Sequence, residues 1–485
     1  MPLRFGSSAG RWVITGTVLG SGMAAIDATV VGIALPSIGR QFHASFGALQ
    51  WVVIGYTLTL ASLLLIGGSL GDRYGRRRVF AIGVIWFTVA SAACATAPGI
   101  TGLVVTRLLQ GAGAAMLTPG SLAILQASFD PSDRGRAIGA WSGLGGVATA
   151  VGPLLGGYLV AAASWRWIFF INLPIGAFVL FVSIRHIPES RDEMSMSRLD
   201  LAGSVLVTAA LAGITFACVE GPIRGWGNPA VLAILLTGTV AGLTFLVVER
   251  RSESPILPLE MFRSRQFAIT NVVTFIVYGA LGGTLFLLPI QLQVVDQDTP
   301  LESGLALMPL TLIMLLLSAR SGRLASRIGP RLQMSVGPIV IGTGLALLAR
   351  TTTDTSYASG TLPAIIVFGL GLAITVAPLT ATALAAAPLE RAGVASAVNN
   401  DVARTGGLLA VALLPALAGI SHQSYLRPDE FSSGFRTAVL IAGAWCLVGG
   451  FVSAIGIRNP ARLAPSAPEP CSHCALDATP LAPST

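Results

Sequence analysis

Apolar residues run through this chain in fourteen long stretches, and the polar and charged residues gather in the short segments between them. The stretches lie at roughly 12–36, 47–70, 79–97, 101–127, 136–162, 166–187, 200–219, 229–249, 267–292, 303–321, 333–351, 361–386, 392–419 and 434–457. A helix needs about 20 mostly apolar residues to cross a bilayer, so the pattern predicts fourteen spanning helices and an all-α membrane protein. The connections after the sixth and the eighth stretch are more charged than the rest. The predicted organisation is therefore a six-helix bundle over 1–190, a two-helix insert over 191–258, a second six-helix bundle over 259–458, and a Pro/Ala/Ser-rich tail over 459–485 expected to be disordered.

An internal repeat supports that division. Gly322-Arg-Leu-Ala-Ser-Arg-Ile-Gly-Pro-Arg331, after the tenth stretch, echoes Gly68-Ser-Leu-Gly-Asp-Arg-Tyr-Gly-Arg-Arg-Arg78, after the second, with Ser326 where Asp72 stands. Asp133-Arg134 before the fifth stretch is matched by Glu390-Arg391 before the thirteenth. Both offsets are eight stretches, as two six-helix halves separated by two extra helices require.

Composition agrees: charged residues are 11% of the chain and apolar ones 53%, against about 25% charge in soluble domains. The formal net charge of +8 comes with no lysine at all. The absence of lysine excludes a Walker A loop, hence nucleotide hydrolysis on this chain, and Schiff-base chemistry. The arginines sit in short connections rather than along one face, which argues for topology and against nucleic acid. With the N-terminus on the cytoplasmic side, cytoplasmic segments hold 22 arginines, outer segments six, and two lie within spans. That asymmetry predicts both termini in the cytoplasm. The run after Arg4 and Arg11 is too long for a signal peptide and lacks a cleavage pattern. Five scattered cysteines define no disulfide framework. Cys471-Ser-His-Cys474 offers at most three zinc ligands where four are usual. The four histidines, His43, His186, His422 and His473, fall in loops or the tail and make no metal or triad spacing.

Four constellations carry candidate chemistry. Asp27, in the middle of the first span, is a carboxylate at a depth where charge is costly unless paired, hydrated or protonated; reversible protonation there is what a proton-driven pump needs, and a structural hydrogen bond is the alternative. Arg107 in the fourth span must face the bundle interior; it suits proton coupling or packing equally. In the thirteenth span Asp401 and Arg404 are three residues apart, on one helix face, as a coupling or gate pair or a structural ion pair. Gly152, Pro153, Gly156 and Gly157 in the fifth span predict a kink, as a hinge or a packing device. Beside these, Gly68, Gly71, Asp72, Arg73, Gly75 and Arg76 form the charged hairpin already quoted, whose glycines permit a tight turn.

Together these segments resemble the fourteen-helix drug–proton antiporter branch of the major facilitator superfamily. The hairpin matches its G-x-L-x-D-R-x-G-R-R motif, Arg107 and Gly111 its arginine motif, and Asp27 with Pro36 its first-helix motif. The fifth span matches G-x-x-x-G-P-x-x-G-G except that Ala148 replaces the first glycine, and Ser164-Trp-Arg-Trp-Ile-Phe-Phe-Ile-Asn-Leu-Pro-Ile-Gly176 also fits. The resemblance implies an exporter in a bacterial-type plasma membrane that trades inward protons for outward amphipathic or cationic compounds, with no cofactor beyond the proton gradient. Asp27 and Arg107 would take part in coupling, Asp72 and its arginines would latch the halves at the cytoplasmic side, and substrate would bind between the halves. A dedicated exporter of one endogenous metabolite or lipid shares the same motifs. A non-transporting scaffold or sensor is disfavoured by the buried charges, and an enzyme by the histidine placement.

Overall fold

The computed structural model describes residues 3–191, 200–252, 255–351, 355–387, 392–420, 425 and 427–459. Glu390-Arg391 and the Cys471–Cys474 tail lie outside these. Among the described residues the chain is all-α, with one isolated β-bridge between Leu3 and Phe129.

Among the described residues, thirteen helices are long and apolar enough to cross a membrane: α1 Ser8–Phe42, α2 Phe46–Tyr74, α3 Arg76–Ala95, α4 Ile100–Ser128, α5 Pro131–Ala162, α6 Trp167–His186, α7 Leu201–Arg224, α8 Pro229–Arg251, α9 Arg265–Val295, α10 Pro300–Ile328, α11 Pro330–Leu348, α12 Thr361–Ala385 and α14 Pro428–Gly456. The remaining expected helix, α13, spans Ala392–Leu417. Their starts carry local signals. The side chains of Ser7, Ser45 and Asn228 accept from backbone N–H groups of the first turn, and Thr299 makes a reciprocal capping box with Glu302. His186, expected in a loop, is the last residue of α6 and stacks on Trp12 with ring centroids 4.7 Å apart.

The charged hairpin is not a loop. α2 runs to Tyr74 and α3 begins at Arg76, so Gly75 alone separates two helices, at φ 109°. That φ disfavours any residue with a Cβ, and a Cβ there would also lie 2.8 Å from the Glu189 carboxylate. Gly329 repeats the joint between α10 and α11 at φ 87°. The fastening repeats as well. Glu189 Oε1, beyond α6, accepts from Arg77 N at 3.1 Å; Asn459 Oδ1, beyond α14, accepts from Arg331 N at 3.0 Å. The internal repeat read from the sequence is thus a repeat of geometry.

The halves α1–α6 and α9–α14 meet at the end opposite the arginine-rich joints. There Gln50 Nε2 donates to Val411 O (2.8 Å) and Gln293 Nε2 to Ile33 O (2.9 Å). Phe46 of the first half lies among Phe286, Tyr425 and Phe431 of the second, with centroids 5.7–6.2 Å away. Gln293 belongs to the last five residues of α9, which wind as a π-helix. Toward the arginine-rich end the halves diverge. Along α5, Gly135, Gly139, Gly143, Gly145 and Gly146 have nothing within 4 Å of a notional Cβ, and Leu144 and Val151 are exposed. The insert lies along the seam. α7 packs on α2, where Gly47 admits Ile223 and Val219, and shares with α13 a crevice lined by Cys218, Pro222, Ala412 and Ala416.

Candidate functional site

Asp27 and Arg107 come together. Asp27 Oδ2 accepts directly from Arg107 Nη1, and both residues are 1% exposed. A buried ion pair is tolerable only where its remaining donors and acceptors are also engaged, and here both carboxylate oxygens and the guanidinium Nε and Nη1 have partners. Arg107 Nε donates to Val52 O on α2 at 3.1 Å. Gln110, one turn on from Arg107 and fully buried, closes a triangle: its Oε1 accepts from Arg107 Nη1 at 2.7 Å and its Nε2 donates to Asp27 Oδ1 at 2.8 Å. Cys94 adds a long S–H donor to Gln110 Oε1, 3.4 Å. The guanidinium faces the Tyr56 ring at 4.3 Å and the Phe169 ring at 5.7 Å, positions that suit a desolvated cation. Tyr56 itself is anchored by donating to Ala24 O of α1 at 3.1 Å. Three helices thus converge on one buried charge pair.

Close helix approach makes this possible. Gly111 places α4 directly on α2, since a Cβ there would strike Thr59 Oγ1 and the Tyr56 carbonyl. The Thr59 hydroxyl adds a bond to Leu108 O at 2.8 Å. Gln110 and Tyr56 were not singled out in the sequence. Gln110 carried one usable signal, a polar residue three positions after an in-span arginine and so on the same face.

The glycine–proline motif of α5 serves packing at two surfaces. Gly152 and Gly156 lie against Thr29 and Val30 of α1, one turn beyond Asp27, while Gly157 faces the backbone of Pro300 and Leu301 on α10 of the other half. Gly304 on α10 returns the contact, against the Pro153 carbonyl. The helix runs unbroken through Pro153. The motif therefore joins the turn next to Asp27 to the closed end of the seam.

Asp401 and Arg404 share a face of α13 but form no ion pair with each other. Asp401 Oδ1 and Arg404 Nε are both buried without a hydrogen-bond partner. A spacing of three permits pairing and does not compel it. The neighbouring amide takes the available partners, with Asn399 Nδ2 donating to Asn271 Oδ1 (3.1 Å) and Thr274 Oγ1 (2.8 Å) of α9. Counting back from the Gln50–Val411 bond along the antiparallel α2 and α13, about 10 Å of helix rise brings Arg404 level with Tyr56. This guanidinium, its Nε without a partner, thus stands across the seam from the Asp27–Arg107 cluster.

The hairpin residues are fastened within their own half. Asp72 Oδ1 accepts from Arg76 at 2.8 Å across the Gly75 joint, and Arg76 N donates to Ser190 O at 2.8 Å. A Cβ at Gly68 would lie 3.5 Å from Pro119, and one at Gly71 3.8 Å from Arg76. Arg73 is exposed over the Tyr74 ring. The expected latch to the second half is not made here, because the halves stand apart at this end.

Two bundles of six helices related by an internal repeat, closed at one end and open at the other around a buried charge cluster, define a multi-pass secondary transporter. The comparisons narrow that class. The sequence profile of the Major Facilitator Superfamily matches residues 17–412, and the chain belongs to this family. It is 36% identical to the tetracenomycin C resistance and export protein of Streptomyces glaucescens, over 84% of this chain and 76% of that one. It is 36% identical to the multidrug resistance protein Stp of Mycobacterium tuberculosis, over 85% and 76%. It is 34% identical to the puromycin resistance protein pur8 of Streptomyces alboniger, over 91% and 92%. In fold it resembles a bacterial homologue of the human lysosomal transporter Spinster in an inward-facing, unoccupied conformation (TM-score 0.64, 16% identity, 94% of this chain and 100% of that one). It also resembles the peptide transporter POT (TM-score 0.66, 16% identity, 93% and 95%).

Proposed function

We propose that this protein is a proton-coupled exporter that trades protons entering the cell for drug-like amphipathic or cationic compounds leaving it, by alternating access. The observation that carries the reading is the buried Asp27–Arg107–Gln110 triangle inside the first half. Asp27 is the proton carrier of this scheme. Its partners on α4, Arg107 and Gln110, sense whether the carboxylate is charged, because a proton on Oδ2 displaces the Arg107 donor. Asp27 also lies one turn from the α5 surface that reaches α10, so its protonation state bears on the contact that closes the seam. Arg404, level with this cluster and with its Nε unpartnered, is the complementary cation of the second half, and Asp401 is a candidate second carrier.

With the arginine-rich face in the cytoplasm, both termini are cytoplasmic and the conformation described is open inward. Its closure would bring Asp72, Arg73 and Arg76 toward the second half as a cytoplasmic latch. The driving force is the proton gradient, with no cofactor and no nucleotide hydrolysis. A dedicated exporter of one endogenous product is the second reading, supported by relatives whose names specify single compounds, such as tetracenomycin C.

The test is substrate-driven proton release in inside-out vesicles carrying the wild type or Asp27→Asn. A compound that discharges the proton gradient with wild type and not with Asp27→Asn is the expected result. Equal discharge by both proteins would remove Asp27 from the coupling path. No response to a broad cationic and amphipathic panel, with response to one natural product, would favour the dedicated exporter.

A further inference from the structure

The two-helix insert holds a carboxylate pair remote from the central site. Asp200 caps α7, its Oδ1 accepting from Gly203 N at 2.7 Å and its carbonyl from Ser204 Oγ at 2.8 Å. Glu249, near the end of α8, is 3% exposed, and its Oε2 accepts from Leu257 N at 3.0 Å in the segment that leads into the second half. The other two oxygens, Asp200 Oδ2 and Glu249 Oε1, are buried and have no hydrogen-bond partner. They converge over Gly203: a Cβ placed there would lie 2.6 Å from Glu249 Oε1 and 2.7 Å from Asp200 Oδ2.

Among the described residues no cation answers them. The other charged side chains on these segments are Glu220 and Arg224 of α7, paired with each other toward its far end, Arg250 and Arg251 of α8, and Glu260 and Arg263 of the following segment. Among the described residues no ion pair engages Asp200 or Glu249. Two ionised carboxylates facing one another away from water repel, and each keeps an acceptor without a donor. A single proton resolves both defects, because a carboxylic acid donates its O–H to the remaining carboxylate in a short, charge-assisted bond.

We propose that Asp200 and Glu249 share one proton and form a second proton-binding site, a clasp that fastens the start of α7 to the end of α8 and to the segment entering the second half. Release of that proton to solvent leaves two like charges in the same space and loosens the insert. Since α7 also packs on α2 and α13 across the seam, the clasp sets how firmly the insert braces the two halves. The site is separate from Asp27, and its test does not depend on transport.

The experiment uses the purified full-length chain in detergent, with thermal unfolding followed from about pH 6 to about pH 9. A proton held by the folded pair contributes fully at low pH and is lost as pH rises. Wild type should therefore lose roughly 2–4 °C more across that range than Glu249→Gln. The amide of Glu249→Gln donates to Asp200 without a proton to release, so its profile should be flatter. Infrared spectroscopy of the wild type should show a carboxylic acid C=O stretch that both Glu249→Gln and Asp200→Asn remove. If Glu249→Gln does not fold, Asp200→Asn carries the same pH comparison. A variant pH slope equal to wild type, or a C=O band that survives both substitutions, overturns the proposal.

Discussion

Arg107 is the residue whose loss should be felt most directly, and the structure sets the scale. Arg107→Met keeps an unbranched side chain of similar reach among Tyr56 and Phe169 and removes every donor. Val52 O loses the Nε bond, Gln110 Oε1 loses its 2.7 Å donor, and Asp27 keeps only Gln110 Nε2 at 2.8 Å. Removing one partner of a buried ion pair costs about 3–5 kcal/mol, because the other charge is left uncompensated. The cost belongs mainly to the stranded Asp27, so removing that charge as well should recover part of it. Asp27→Asn combined with Arg107→Met is therefore expected to be more stable than Arg107→Met alone, with a coupling of about 1–3 kcal/mol. Thermal and denaturant unfolding of the four proteins in one detergent at neutral pH gives the cycle, and vesicle proton release is expected to be absent from all three variants. An Arg107→Met protein within about 0.5 kcal/mol of wild type would refute the ion-pair reasoning. So would strictly additive losses in the double variant, since they would mean that neither charge depends on the other.

The seam and the joints give two further expectations. Gly157→Ala puts a Cβ 2.5 Å from Pro300 O and 3.0 Å from Leu301 Cα, an overpacking of about 1–3 kcal/mol confined to the closed end. Spin labels on α5 and α10 at that end should move apart relative to wild type, and an unchanged distance distribution would show that the contact does not hold the seam. Gly75→Ala forces a Cβ into φ 109° beside the Glu189 carboxylate and should cost about 1–2 kcal/mol from the backbone alone. A melting temperature equal to wild type would mean the joint relaxes without strain.

The parts of this fold that were legible in the sequence are those that apolar length and charge reveal directly. The eight-stretch offset between the two basic segments supported a division into repeated halves, and Gly75 and Gly329 now stand at equivalent joints. Asp27 and Arg107 were visible because ionised residues are rare in spans, and the structure brings them together. Gln110 and Tyr56 were not, since a neutral amide or phenol in an apolar run has no distinctive cost until its partners are known. The extent of the hairpin was misjudged for the opposite reason. Charge and glycine suggested a loop over positions 68–78, yet Gly68, Gly71 and Asp72 remain helical, and a single positive φ at Gly75 makes the whole turn. Asp401 and Arg404 show where spacing runs out: three residues apart on one helix, they still leave Oδ1 and Nε unpartnered. Their rotamers depend on α9 and on the space between the halves, which no local pattern encodes.

The two fasteners, Glu189 at the first joint and Asn459 at the second, hold the same backbone position with nearly the same bond length. They differ in one respect with thermodynamic consequences. The first is an anion with Arg77 Nε 3.5 Å from its carboxylate, so its strength is screened by dissolved salt; the second is a neutral amide and is largely indifferent to it. Two modules of one design thus answer the ionic composition of the surrounding solution unequally. Raising ionic strength would soften the joint of one half while leaving its counterpart as it was, which gives an experimenter a way to loosen one module of the transporter without altering a residue.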